Sequence, residues 1–149
     1  MSDLFEQMQR WVVSLPHCAT LGLRFAGMAH QKVTLALDWR EDLVGNPTTG
    51  VLHGGVITSL VDSTSALAVF TRLAAAEAMA TLDLRIDYLR AAEPRQPVFC
   101  EAECYHLTRQ IAFTRAICHQ GNREDPLAHG VATFMRASSR AVFGNGEKA

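Results

Sequence analysis

The sequence predicts an α+β protein in which an antiparallel β-sheet wraps around one long central helix, with a short N-terminal helix alongside. Three observations carry this. The segments read in the order helix, two strands, long helix, four strands. The long helix is apolar almost all round, so it needs cover on most sides. The connections between the later strands are short, which favours antiparallel neighbours.

Each element has its own warrant. Leu4, Phe5, Met8, Trp11 and Val12 recur at helical spacing, which predicts a helix over residues 3–14. Pro16 then breaks it, and residues 15–22 read as a connecting segment. Residues 23–28 and 32–39 read as a β-hairpin, with Val33, Leu35 and Leu37 alternating. Residues 40–52 are rich in Gly, Asn, Pro and Thr and form a loop. Over residues 54–75, Val56, Ile57, Leu60, Val61, Thr64, Leu67, Ala68 and Thr71 supply a face at i, i+3, i+4 spacing. Four strands follow at about 80–89, 97–107, 110–120 and 127–138. In the first of them Leu82, Leu84, Ile86 and Tyr88 alternate with Thr81, Asp83, Arg85 and Asp87, a two-residue period. Residues 139–149 read as a frayed tail. The whole of 1–149 is expected to be one domain, with residues 1–20 its N-terminal helix and connector.

Composition excludes several classes. A net charge of -1 gives no electrostatic reason to expect a nucleic acid or a membrane surface as partner. No apolar run reaches the ~18 residues that would span a bilayer. The start MSDLFEQMQRW has early acids and no apolar core of a signal peptide, so a cytoplasmic protein is expected. Cys18, Cys100, Cys104 and Cys118 form no CxxC pair and read as buried thiols. The six histidines make no HExxH or HxH pattern, and no metal site is expected. A single sheet layer leaves apolar surface uncovered, so a homo-oligomer is expected.

One stretch concentrates the chemistry. From Leu43 to Thr71 the only charged side chain is Asp62, set in the apolar run that follows Gly54 and Gly55. An ionised acid buried without a partner is costly, so a lone one there points to function. Gly54 stands at the start of the helix, where N–H groups are unpaired and the helix dipole is positive. Having no side chain, it lets a carbonyl approach closely. Asp62 is able to deprotonate water or attack directly. The two are eight residues apart, about 12 Å along one helix, so one subunit can hardly bring both to the same carbonyl. Two such helices packed antiparallel about a two-fold axis would. The Gly45–Gly50 spacing matches part of a phosphate loop, but Val51 and Leu52 occupy its Lys and Ser/Thr positions, which rejects that reading.

LHGGVITSLVDS, preceded by Asn46 and followed by TLDLRIDYLRAA, resembles the hotdog-fold acyl-CoA thioesterases, in particular their PaaI-like, phenylacetyl-CoA-type branch. The likeness spans roughly residues 35–137. It implies Asp62 as general base or nucleophile and the Gly54 N–H as the group that polarises the thioester carbonyl. His53 matches the adjoining histidine, Thr81 the hydroxyl that helps hold the attacking water, and Asn46 a polar loop residue near the site. Gly55, Ser65 and Asp83 are further expected contacts to substrate. The expected site is composite, with His53 and Gly54 from one protomer and Asp62 and Thr81 from its mate. The implied partners are an acyl-CoA substrate and further copies of the chain, as a dimer and a dimer of dimers. No cofactor is expected, since CoA is part of the substrate. Two alternatives stand beside this. A hydroxyacyl-thioester hydratase or dehydratase would want an Asp-x-Asn-Pro-x-His loop, whereas Val44 and Thr49 occupy those Asp and His positions. A non-catalytic acyl-CoA-binding module would not need Asp62.

Overall fold

In the computed structural model, which describes residues 3–136, the elements run α1 (Asp3–Ser14), α2 (Pro16–Leu21), β1 (Arg24–Ala29), β2 (Lys32–Leu37), β3 (Val44–Asn46), β4 (Val51–Leu52), α3 (Gly54–Phe70), β5 (Met79–Tyr88), β6 (Val98–Leu107), β7 (Ile111–His119) and β8 (Ala128–Arg136). Six strands make one antiparallel sheet in the order β1-β2-β6-β7-β8-β5, and β3 with β4 forms a small separate ribbon. The sheet holds α3 against its inner face. Leu60, Val61 and Leu67 of the helix are fully buried with Val33, Leu35 and Leu37 of β2. The amphipathic α1 covers α3 from the other side with Phe5, Met8 and Val12. All four cysteines are free and buried.

The expected plan is therefore present, with four differences. Pro16 does not end helical structure but starts α2, because the first helical position needs no N–H. Gly22 closes that helix in the left-handed conformation (φ 74°). The loop at 40–52 contains the β3–β4 ribbon, which presses against the start of α3. The long helix stops at Phe70 rather than 75, despite the helix-forming Ala74, Ala75 and Ala76. There the Thr71 hydroxyl and N–H both take the Ala68 carbonyl, at 2.8 and 3.2 Å, and the chain reverses into β5. Last, β5 does not pair with the next strand in sequence but lies at the sheet edge beside β8. Residues 137–138 of the last expected strand, and the expected tail at 139–149, lie outside the described residues.

Strand β5 also breaks its own alternation. It pairs Thr81 with Phe134 but Asp83 with Thr133, which leaves Leu82 as the extra residue of a β-bulge. Leu82 is accordingly 53% exposed, although it alternates in register with Leu84 and Ile86 in the sequence. Tyr88, the last apolar residue of the same alternating set, is 52% exposed. The bulge changes which positions turn toward α3: the even Leu84 and Ile86 on one side of it, and on the other the odd Met79 and Thr81, the latter exposed but bonded to the helix.

Helix and sheet meet closely at Gly130 on β8. A Cβ there would lie 2.6 Å from Cγ1 of Val61, one residue before Asp62. Valine is stiff in a helix and cannot swing aside. Gly130→Ala is therefore expected to cost about 1–3 kcal/mol of stability in urea denaturation. Val61→Ala in the same chain should recover much of that loss, and simple additivity of the two costs would refute the contact as the cause.

Candidate active site

The start of α3 is held by contacts from its own first turn, from β3 and from β5. His53 sits before the first helical residue with extended backbone, and its Nδ1 accepts the Gly55 N–H at 2.9 Å. That bond fixes Nδ1 as the unprotonated ring nitrogen. The His53 N–H donates to the Leu43 carbonyl at 2.9 Å. Strand β3 can lie this close because Gly45 has no side chain, and a Cβ on it would fall 2.7 Å from the His53 Cα. The Gly54 carbonyl accepts from the Tyr88 hydroxyl at 2.8 Å and from the Thr58 hydroxyl at 3.2 Å, and those two hydroxyls are 2.9 Å apart. Tyr88 thereby ties the helix start to the far end of β5. The Gly54 N–H, first in the helix, has no intrahelical acceptor, and no other acceptor meets it among the described residues.

Two turns further on is Asp62, half-buried. The Thr81 hydroxyl donates to its Oδ1 at 2.9 Å. Among the described residues no Arg or Lys pairs with it. Among the described residues no donor meets Oδ2, and the side chain opens on a cavity of about 380 Å3 beneath α1. The acid is thus reachable and is not locked into an internal ion pair. Thr81 reaches it only because of the bulge at Leu82. Without the extra residue, Thr81 would share the outward face with Arg85 and Asp87.

The other expected residues divide. Gly55 is exposed, and its N–H is taken by the His53 cap. Asn46 is exposed at the end of β3, where its Oδ1 accepts the Thr48 N–H at 3.0 Å and its carbonyl the Gly50 N–H at 2.8 Å, so its side-chain oxygen shapes the turn. Ser65 lies in the core, 1% exposed, with no partner for its hydroxyl among the described residues, and outside the lining of the Asp62 cavity. Asp83 is exposed on the strand face opposite Leu84, away from Asp62. The Thr58 hydroxyl serves the helix start, and that of Ser59 bonds the Gly55 carbonyl at 3.1 Å and meets His17 Nε2 at 2.9 Å. Neither reaches Asp62. Sequence reasoning missed Tyr88. Its signal was a phenol at the end of a strand that leads back to the glycine pair.

Within one chain the structure brings together Asp62 with Thr81, and His53 with Gly54 and Gly55. It does not bring the two groups to each other, because Gly54 and Asp62, eight positions apart on α3, are about 12 Å apart along the helix.

Comparison with known proteins now bears on this geometry. Residues 49–126, which include His53, Asp62 and Thr81, match the thioesterase superfamily. A crystal structure of a Pseudomonas aeruginosa protein is 41% identical and superposes with a TM-score of 0.80, covering 90% of this chain and 99% of that one. The phenylacetic acid degradation protein PaaI of Thermus thermophilus is 28% identical with a TM-score of 0.71, covering 83% of this chain and 100% of the other. The medium/long-chain acyl-CoA thioesterase YigI of Salmonella typhimurium is 29% identical over 142 residues, 85% of this chain and 89% of that protein. On the match over 49–126, and on the helix-in-sheet architecture around it, the chain belongs to the thioesterase superfamily and has the hotdog fold.

Proposed function

We propose that the chain hydrolyses acyl-CoA thioesters to the free acid and CoA, in a site made by two copies of itself. The observation that carries this is Asp62: a carboxylate with one hydroxyl donor, no cationic partner among the described residues, and an open cavity before it. Membership of the thioesterase superfamily and the likeness to YigI support the reaction and the substrate class.

The chemistry follows from the two half-sites. The Thr81 hydroxyl holds Oδ1 of Asp62, which orients the carboxylate and leaves Oδ2 for water. Oδ2 takes a proton as the water oxygen bonds to the thioester carbon. The carbonyl oxygen becomes negative, and the Gly54 N–H of the second copy, at the positive end of its helix, stabilises it. Collapse of the tetrahedral adduct breaks the carbon–sulfur bond, and the thiolate takes the proton back from Asp62. Direct attack by Asp62 on the carbonyl uses the same placement.

The sheet edge supports the second copy. Strand β5 runs ten residues along that edge and carries Leu82 and Tyr88, which are 53% and 52% exposed, with Leu89 just beyond at 53%. A long unpaired edge that exposes large apolar side chains, here interleaved with Asp83, Arg85 and Asp87, supports pairing with another chain. A partner there would lie beside both Thr81 and the Tyr88 hydroxyl that ties down Gly54, so the two half-sites share one boundary.

Asp62→Asn keeps an acceptor for Thr81 but loses the base. It should lower kcat by about two to four orders of magnitude with an unchanged melting temperature, followed as thiol release from acyl-CoA. Activity at the parental rate would refute the role of Asp62. Thr81→Val should lower kcat by about ten- to a hundredfold, as expected for losing one hydrogen bond to a charged group. Full activity there would show that the bond does not orient the base.

A further inference from the structure

The cavity in front of Asp62 has a length, a direction and an end. On one wall Asp62, Ala66 and Phe70 follow at four-residue steps along α3, a stripe of about 12 Å. On the facing wall the chain returns from the helix through Glu77 and enters β5 at Met79 to reach Thr81, a reach of at most about 14 Å. The bulge at Leu82 is what turns this odd-numbered row toward the helix. Both walls thus begin at the Asp62–Thr81 hydrogen bond and finish at Phe70 and Glu77. Trp11 and Leu15, one turn apart on and just after α1, line it from the side of that helix.

The two ends differ in chemistry. Between them the lining is apolar. At the far end Glu77 is held by Arg136 through two bonds of 2.9 and 2.8 Å, and Arg136 also donates to the Thr108 carbonyl. Only 15% of the Arg136 side chain is exposed. Pushing an alkyl terminus against this pair would strip its remaining water without replacing it, which is unfavourable.

We infer that this groove receives the acyl group as an unbranched medium-length chain, with Glu77 and Arg136 as its stop. The inference rests on the proposed hydrolysis at Asp62 and names the substrate class of that site. An extended chain advances about 1.2 Å per bond, as a polypeptide does in covering 3.3–3.6 Å with three bonds, so 12 Å holds about eight to ten carbons. An aryl group would fill only the part beside Asp62 and leave the rest of the apolar groove wet.

The test is a panel of straight-chain acyl-CoAs from two to sixteen carbons, with phenylacetyl-CoA and an ω-carboxyacyl-CoA, on the full chain. Successive methylenes should raise kcat/KM by about fourfold each while the groove fills. The rise should stop at about eight to ten carbons, set by the length of the groove. Ala66→Phe blocks the groove one turn from Asp62 and should move the optimum to about four to six carbons. Calorimetry of decanoate against butyrate, on the parent and on Ala66→Phe, reads the same groove without turnover. Decanoate should bind the parent more tightly, and the variant should lose that preference. A flat length profile, a preference for the aryl or ω-carboxy substrate, or no effect of Ala66→Phe on either readout would overturn this inference while leaving hydrolysis intact. Failure to hydrolyse any thioester, with decanoate still bound in preference, would overturn the proposed reaction and keep the groove.

Discussion

A thioester carbonyl is little more than one bond long, whereas the amide of Gly54 and the carboxylate of Asp62 belong to residues eight positions apart on α3. A helix is too stiff to fold that distance away, and both groups must come within about 3 Å of the reacting atoms. The most economical resolution of this mismatch is symmetry. If two copies of α3 lie antiparallel across a two-fold axis, the start of each faces the middle of the other. On this reading the edge position of β5, its exposed apolar residues and the Tyr88 contact to Gly54 all serve one arrangement, because each lies where the copies would meet.

Local irregularities set the rest of the geometry. Gly130 lets α3 settle onto β8 beside Val61, which fixes the depth of the neighbouring Asp62. The bulge at Leu82 inverts the facing of β5 at one point. Leu84 and Ile86 therefore pack in the core, while Thr81 and Met79 line the groove of the acid. A regular strand could place either set inward but not both. The same device positions a hydroxyl for chemistry and shapes the apolar wall behind it.

Much of this was legible in the sequence, and the exceptions have physical causes. The lone acid in an apolar helix, the glycine pair at its start and the order of elements are local features, and the boundaries of α1 and the hairpin followed from periodicity. Thr81 entered only through resemblance, because no local rule marks a bulge at Leu82, which lies in a run without Gly or Pro. Ser65 and Asp83 illustrate the limit of proximity in sequence. Ser65, one turn beyond Asp62, falls on the edge of that helix face which the core covers, 1% exposed and outside the cavity lining, and Asp83 is two residues beyond Thr81 but across the bulge. The early end of α3 at Phe70 reflects tertiary demand, since the chain must turn back to build the second wall of the groove. Ala74 to Ala76 would otherwise continue the helix.

The shared site is open to one direct measurement, complementation between two inactive chains. Gly54→Pro removes the amide while suiting the first helical position, and the extended backbone of His53 is the one a following proline requires. Asp62→Asn removes the base. Neither variant alone should turn over acyl-CoA at more than a small fraction of the parental rate. Mixed in equal amounts under conditions where the subunits exchange, half the dimers carry one protomer of each kind. One of the two sites in each mixed dimer is then complete, so activity should return to about a quarter of the parental value. Persistent inactivity in dimers shown to be mixed would place Gly54 and Asp62 in the same half of the site and contradict the account.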